Sequence, residues 1–249
     1  MDATLATQTP AARSAQAGSA SAVPAASPAG PADEGRSPAR EEVLAAAARA
    51  FMERGYAATS IDDVAALMGA TKGRVYHYYR AKLDLFADVV RRSLEVIHAE
   101  VRAAAEAAGP DPAARMEAMV RTHVASILRD IPFHRCALQG VEMHLTQAPT
   151  PDQRAALRGI IALRDRHQRL FGDTLEAGIA AGAWPACDAK PVLLTLLGAL
   201  NAAVWWYRPR EGETAADRAA LIESIAGFAL AGLAGTTEPN SATTNGRTP

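Results

Sequence analysis

Lysine is nearly missing from this chain: it occurs only at Lys72, Lys82 and Lys190, although 26 of the 249 residues are Lys or Arg. With 27 Asp and Glu the formal charge is −1, so the surface is not uniformly basic and any nucleic-acid site must be local. Cysteine is scarcer still. Cys136 and Cys187 stand far apart, which leaves no disulfide framework and no zinc-ligand spacing. There is no Gly-x-Ser-x-Gly elbow, phosphate loop, dinucleotide fingerprint or His-Glu-x-x-His, so nothing points to an enzyme or to a cofactor. His123, His134, Cys136 and His144 fit no usual metal pattern, and Cys136 as a redox switch has no activating neighbour beyond Arg135. Residues 1–10 show no cationic segment followed by an apolar core, and the most apolar run, 192–206, is short for a bilayer. A soluble, cytoplasmic protein is the expectation.

Convincing period-two strands are missing too, and the patterned part of the chain reads as all-α. Residues 1–36, rich in Ala, Ser, Pro and Gly, are expected to be a disordered tail, as are 235–249. The only basic residues of the first tail, Arg13 and Arg36, make a poor minor-groove arm. Ser37 and Pro38 start a first helix that Gly55 ends. Ser60, with Asp63 three residues on, then caps a short helix with the apolar stripe Ile61, Val64, Ala65 and Met68. Gly69 turns the chain into a second short helix capped at Thr71. On that helix Val75 and Tyr79 point back at the first. At about 100° per residue, Gly73 and His77 face away from Val75, with Arg74 and Tyr76 on the flanks. Lys72, Arg74, Arg80 and Lys82 bring four cations and no acid to residues 71–82. That is a helix-turn-helix with a local basic face, the chemistry that meets phosphates and base edges; the plainer alternative is a helical hairpin with a solvated face.

The run 40–94, REEVLAAAARAFMERGYAATSIDDVAALMGATKGRVYHYYRAKLDLFADVVRRSL, resembles the TetR family of bacterial transcriptional regulators. The resemblance rests on the Ala-rich helix ending in Phe51 and Arg54-Gly55-Tyr56, on Thr59-Ser60, Lys72-Gly73 and Tyr76, and on Lys82 before Leu83. It implies that Tyr76 and Lys82 hold phosphates, that Thr59 and Thr71, with Ser60, hold the DNA backbone near helix N-termini, and that Lys72, Gly73, Arg74 and His77 approach bases. Tyr78 stands where the family often has a polar aromatic contact. Arg74, Ala70 and Tyr79 depart from the usual small residue, Val and Phe, which affects the identity of the operator.

The expected organisation is a three-helix DNA-binding domain over 37–97, with its helix-turn-helix at 60–79, and a larger helical ligand-binding and dimerisation domain over 98–234. A long helix from about Ala81 to Ala108 links the two. The apolar segment 188–207 and the helix that Thr214 caps need a partner surface, and a second copy is the simplest. The resemblance implies the same homodimer; completing a monomeric core is the alternative. Leu196 and Ala203 are expected at that interface. Met116, Met119, His123, Met143, His144, Trp184, Trp205, Trp206 and Tyr207 are candidate pocket linings, though each also suits an ordinary core. The Trp-Tyr-Arg-Pro run 206–209 resembles a family branch answering to acyl-CoA thioesters, for whose phosphates Arg164, Arg166, Arg169, Arg208 and Arg210 are available. The ligand site is thus expected at Met119, His123, Met143, Arg164 and Trp205, with no metal. The leading function is a repressor that binds a palindromic double-stranded operator and is released by a small hydrophobic or acyl-CoA-type effector. The alternatives are a drug-responsive efflux-pump repressor, and a helical small-molecule or partner-binding protein that does not bind DNA.

Overall fold

The computed structural model describes residues 37–146 and 151–235, with side chains described outside 141–153 and 156. The expected tails, the cap at Thr150 and the side chains of Met143 and His144 therefore lie outside the described residues. The elements, in order, are α1 (Pro38–Ala58), α2 (Ile61–Leu67), α3 (Lys72–Tyr76), α4 (Lys82–Ala107), α5 (Pro112–Arg129), α6 (Ile131–Thr146), α7 (Pro151–Ala180), α8 (Ala189–Asn201), α9 (Ala203–Trp206) and α10 (Ala215–Ala234). No strand occurs among the described residues.

The helix starts follow local chemistry. The Ser37 hydroxyl accepts from the Arg40 N–H at 3.3 Å ahead of Pro38. Asp111 accepts from the N–H groups of Ala113 and Ala114, and Thr214 and Asp217 form a reciprocal capping box on α10. Gly55, at φ +77°, kinks α1 at the point where the sequence places its end. The apolar segment 188–207 is two helices rather than one. It breaks at Ala202, beside an Asn201 side chain that takes up the Leu197 carbonyl at 2.7 Å.

Two apolar cores form, and α4 runs through both. The first gathers Val43, Leu44 and Phe51 of α1, Ile61 and Val64 of α2, Val75, and Leu85, Phe86, Val89 and Val90 of α4. The second takes Ile97, Val101 and Ala105 from the other end of α4, with Met116, Met119, Val124 and Ile127 of α5, Phe171 and Leu175 of α7, and Leu196 and Leu200 of α8. Phe51 is fully buried, so truncating it to Ala is expected to cost about 3–5 kcal/mol. The first core also contains Phe133 and Cys136 of α6 and Ile160 of α7. The N-terminal unit therefore rests on later parts of the chain, across the expected division at 97/98. Leu196 and Ala203, expected at a dimer interface, are 4% and 1% exposed and belong to the protomer's own core. Apolarity alone does not tell an inner face from an outer one.

Candidate nucleic-acid interface and effector region

The turn between α2 and α3 is built by side chains that the sequence places there. The Ser60 hydroxyl accepts from the Asp63 N–H at 3.1 Å and donates to its carboxylate at 2.6 Å. The Ser60 N–H donates to the same carboxylate at 2.8 Å, and Arg54 pairs with it from α1. These bonds from Ser60 first, and the Arg54 charge after them, hold the Asp63 carboxyl below its ordinary range. Gly69, at φ +62°, carries the turn, and the Ala70 N–H reaches back to the Ala65 carbonyl at 3.0 Å. Thr71 caps α3 by backbone alone, which leaves its exposed hydroxyl uncommitted to that helix.

One residue of α3 is buried, and it is Val75 at 0% exposure; Tyr79 beyond it is 3% exposed. Lys72, Gly73, Arg74, Tyr76 and His77 are exposed and Tyr78 is half-buried against the His77 ring. Two cations are already engaged in the free protein. Arg74 pairs with Glu42 of α1 at 2.5 Å, and Lys82 donates to the Tyr56 and Ala57 carbonyls at 2.8 and 3.2 Å while lying over the Tyr56 ring. Thr59 does not reach this surface. It is 1% exposed, and its hydroxyl donates to the Gly55 carbonyl at 2.7 Å and lies 3.2 Å from that of Ala50, because the chain leaving the α1 kink needs those carbonyls satisfied.

In the C-terminal region the expected ligand residues are not brought together as a set. Met119 and His123 are buried one turn apart on α5, where the Thr174 hydroxyl, which donates to the Leu170 carbonyl at 3.0 Å, lies 3.5 Å from the Met119 sulfur. Arg164 is exposed on α7, and Trp205, at 60% exposure, stands on the outside of α9. Trp184 packs inward so closely over Gly178 that a Cβ there would lie 1.8 Å from its ring. Tyr207 is buried and donates to Glu213 at 2.5 Å, while Arg208 donates to the Trp205 and Tyr207 carbonyls at 3.1 and 3.0 Å. Arg208 is therefore a terminator of α9 before it is a phosphate arm. An open groove of about 300 Å³ lies between α5 and α7, lined by Pro110, Pro112, Arg115, Leu170, Asp173, Thr174 and Ala177. Among the described residues no group of three or more His, Cys, Asp or Glu is arranged to hold a metal ion. Burial pushes the Cys136 thiol up to about 12, so it holds no reactive thiolate at neutral pH.

Two family profiles match this architecture. Residues 43–89 match the family described as bacterial regulatory proteins of the tetR family, and residues 109–233 match the tetracyclin repressor-like C-terminal domain. The chain belongs to the TetR family. The transcriptional repressor KstR2 of Rhodococcus jostii is 31% identical to this TetR-family chain over 183 residues, covering 72% of it and 85% of the relative. The TetR-family regulator PfmR from Thermus thermophilus superposes with a TM-score of 0.65 at 26% identity, over 77% of this chain and 98% of that one. AibR, solved in complex with isovaleryl coenzyme A and operator DNA, has the same fold, with a TM-score of 0.63 at 19% identity over 78% and 97% of the two chains. This protein is thus a helix-turn-helix, DNA-binding transcriptional regulator of the repressor type.

Within this TetR-family fold, sequence reasoning missed the group that fixes the far end of α3. The Tyr79 hydroxyl donates to the buried Asp88 carboxylate of α4 at 2.6 Å. Arg40 of α1 donates to both, at 3.0 Å to Tyr79 and 2.8 Å to Asp88. Burial, then the Asp88 bond, raises the Tyr79 phenol well above its ordinary range, so it stays a donor. The available signal was Tyr79 itself, because a hydroxyl where Phe is usual must find a partner once buried. A second tie joins the two cores. Arg92 of α4 donates to Glu41 of α1 at 2.6 Å, lies 3.6 Å from Asp130 at the α5–α6 joint, and covers the Phe133 ring at 4.1 Å.

Proposed function

We propose that this regulator works as a homodimer, binds an inverted-repeat operator through α3, and releases it when a small apolar or acyl-CoA-type effector enters the C-terminal region. The observation that carries the reading is the polarity of α3: Val75 and Tyr79 anchor it, and every polar residue from Lys72 to His77 faces outward. Lys72, Gly73, Arg74 and His77 then meet base edges. Ser60, Thr71, Tyr76, Tyr78 and Lys82 meet phosphates and set the register. Thr59 holds the turn from inside and has no direct contact. The reading head covers 37–97 and the regulatory part 98–234, joined by the unbroken α4.

Dimerisation is supported by apolar side chains that the protomer leaves outside. Leu194 is 49% exposed, Trp205 60%, Trp206 53% and Phe228 76%, on α8, α9 and α10. Such a face on helices at the end of a bundle suits an isologous pairing with the same face of a second copy. Two heads on one dimer must meet major-groove faces about one helical turn apart or a multiple of it, which requires an inverted repeat. The effector reading is supported by the groove between α5 and α7 and by the kinship with AibR, whose complex contains isovaleryl coenzyme A. Acyl-CoA thioesters are the first compounds to screen, and hydrophobic drugs the second.

The test is to sequence DNA fragments retained by the purified protein and to measure binding to the recovered site by fluorescence anisotropy. A palindromic site bound by a dimer is the expected result. Retention without sequence preference would overturn the repressor reading and leave a helical binding protein. An acyl-CoA that releases the operator must also bind more weakly to the DNA-bound protein by the same factor.

A further inference from the structure

We propose that His167 and His98 form a hydroxyl-reading subsite, in which an apolar effector donates a hydrogen bond from a hydroxyl group to His167 Nδ1. The inference rests on the effector part of the proposed function and names the group that such a ligand must carry.

A chain of hydrogen bonds sets the protons. The Asn201 side-chain NH₂ donates to the Leu197 carbonyl at 2.7 Å, which turns its amide oxygen toward His123 Nε2, 3.3 Å away. His123 Nε2 must therefore carry the proton. Burial holds His123 and His167 below the ordinary imidazole range, so each ring is neutral, with one donor and one acceptor. The other nitrogen of His123, Nδ1, is then a lone pair, and it accepts from His167 Nε2 at 3.1 Å. His167 has spent its only proton. Its Nδ1 is left as a buried lone pair without a hydrogen-bond partner, and the buried Nδ1 of His98 also lacks a partner. The His98 ring, on α4, stands edge-on to His167 with centroids 5.9 Å apart.

The geometry selects the ligand chemistry. A carboxylate has no proton to give to His167. Arg102 and Arg166 act on His98 with positive charge, which disfavours a ligand cation. A neutral hydroxyl donates to His167 and keeps its lone pairs to accept from a His98 tautomer protonated at Nδ1. The groove and the histidines lie along the same two helices, with the buried Met119 side chain packed between them. Arg115, Met119 and His123 follow at four-residue spacing along α5, and Ala177, Thr174, Leu170 and His167 at three or four along α7. The outer members line the open groove, Met119 and Thr174 touch at the middle, and the histidines meet at the inner end. A hydroxyl held between His167 and His98 links the ligand to α4, the helix that carries the reading head.

The test uses the full chain, labelled with ¹⁵N, and two isomeric probes: nonan-1-ol and methyl octyl ether, which has the same size and no donor. Imidazole NMR of the free protein should show Nε2–H tautomers at His123 and His167, with a non-bonded Nδ1 at His167. The alcohol should bind about tenfold more tightly than the ether, the worth of one neutral hydrogen bond, and shift the His167 Nδ1 resonance. His167→Phe should abolish the discrimination while ether binding persists; the wild-type spectra stand without that variant. A proton on His167 Nδ1, a hydrogen bond already present there in the free protein, or equal or absent binding of the two probes would overturn the subsite. Operator binding is measured on the same preparation. Intact operator binding without discrimination sinks the subsite alone, and discrimination without operator binding sinks the repressor reading alone.

Discussion

In the head, the polar residues of α3 face outward around one buried valine, whereas in the C-terminal region His123, His134 and His167 turn inward and are less than one-tenth exposed. Outward polar groups keep their hydration until a partner replaces it, so the head can carry charge at little cost to its stability. Inward imidazoles must stay neutral and find partners. The contrast separates the outward face proposed to meet DNA from the interior proposed to respond to an effector, and the experiments below press on each side.

The largest effect should come from pH. Burial lowers His123 to about 3 and His134 to about 4, and pushes His167 well below its ordinary value, whereas the unfolded chain takes up protons near 6.5. Below pH 6.5 the unfolded state therefore binds more protons than the folded one. Stability should fall by about 1.4 kcal/mol per pH unit for each histidine, levelling off only as pH passes the folded values. Above about pH 7 these groups should contribute no slope. All 3 tryptophans lie between 184 and 206, so urea unfolding followed by tryptophan fluorescence reads this region. A flat profile from pH 7 to 5 would remove the contrast.

Next in size is the proposed pairing face. Leu194→Arg combined with Phe228→Arg changes exposed positions and should leave each protomer folded, yet place charge in the dimer contact at a cost of about 3–5 kcal/mol. Sedimentation should show monomers with weak operator binding; a dimer that survives both changes would relocate the interface.

Base contacts come third. Arg74→Ala or His77→Ala should relax preference at individual base pairs by about 1–3 kcal/mol. Because Glu42 holds Arg74 in the free protein, Glu42→Gln should instead tighten operator binding. Matching specificity profiles for all three variants and the wild type would show that α3 does not read bases. Smallest is Lys82→Ala, which should weaken all duplexes alike and make the salt slope shallower by about one unit. An unchanged slope would assign Lys82 wholly to the end of α1, where its ammonium already meets two carbonyls.

Much of the head was legible because its information is local. Ser37, Ser60, Thr71 and Thr214 mark helix starts through bonds within three residues or through position alone, and Gly55 and Gly69 mark turns through positive φ. The spacing of Val75 and Tyr79 set the inner face of α3, and with it the outer one. The Arg40–Tyr79–Asp88 group escaped because its members are up to 48 residues apart, and only packing brings them into contact.

The C-terminal region divides differently. By itself the sequence determined that it is helical, apolar and equipped with histidines, since period and composition are properties of the chain read in order. Tertiary structure alone decided that Leu196 and Ala203 face inward while Leu194 and Phe228 face outward, for a helix apolar around its circumference has no preferred face until its neighbours are placed. It alone decided that Trp205 stands outside the protomer and that His98, His123 and His167 converge from α4, α5 and α7. The tautomers proposed for His123 and His167 follow from an amide on α8, 78 residues from His123 in sequence. Hydrogen-bond direction is a relation between neighbours in space, and the order of residues along a chain does not contain it.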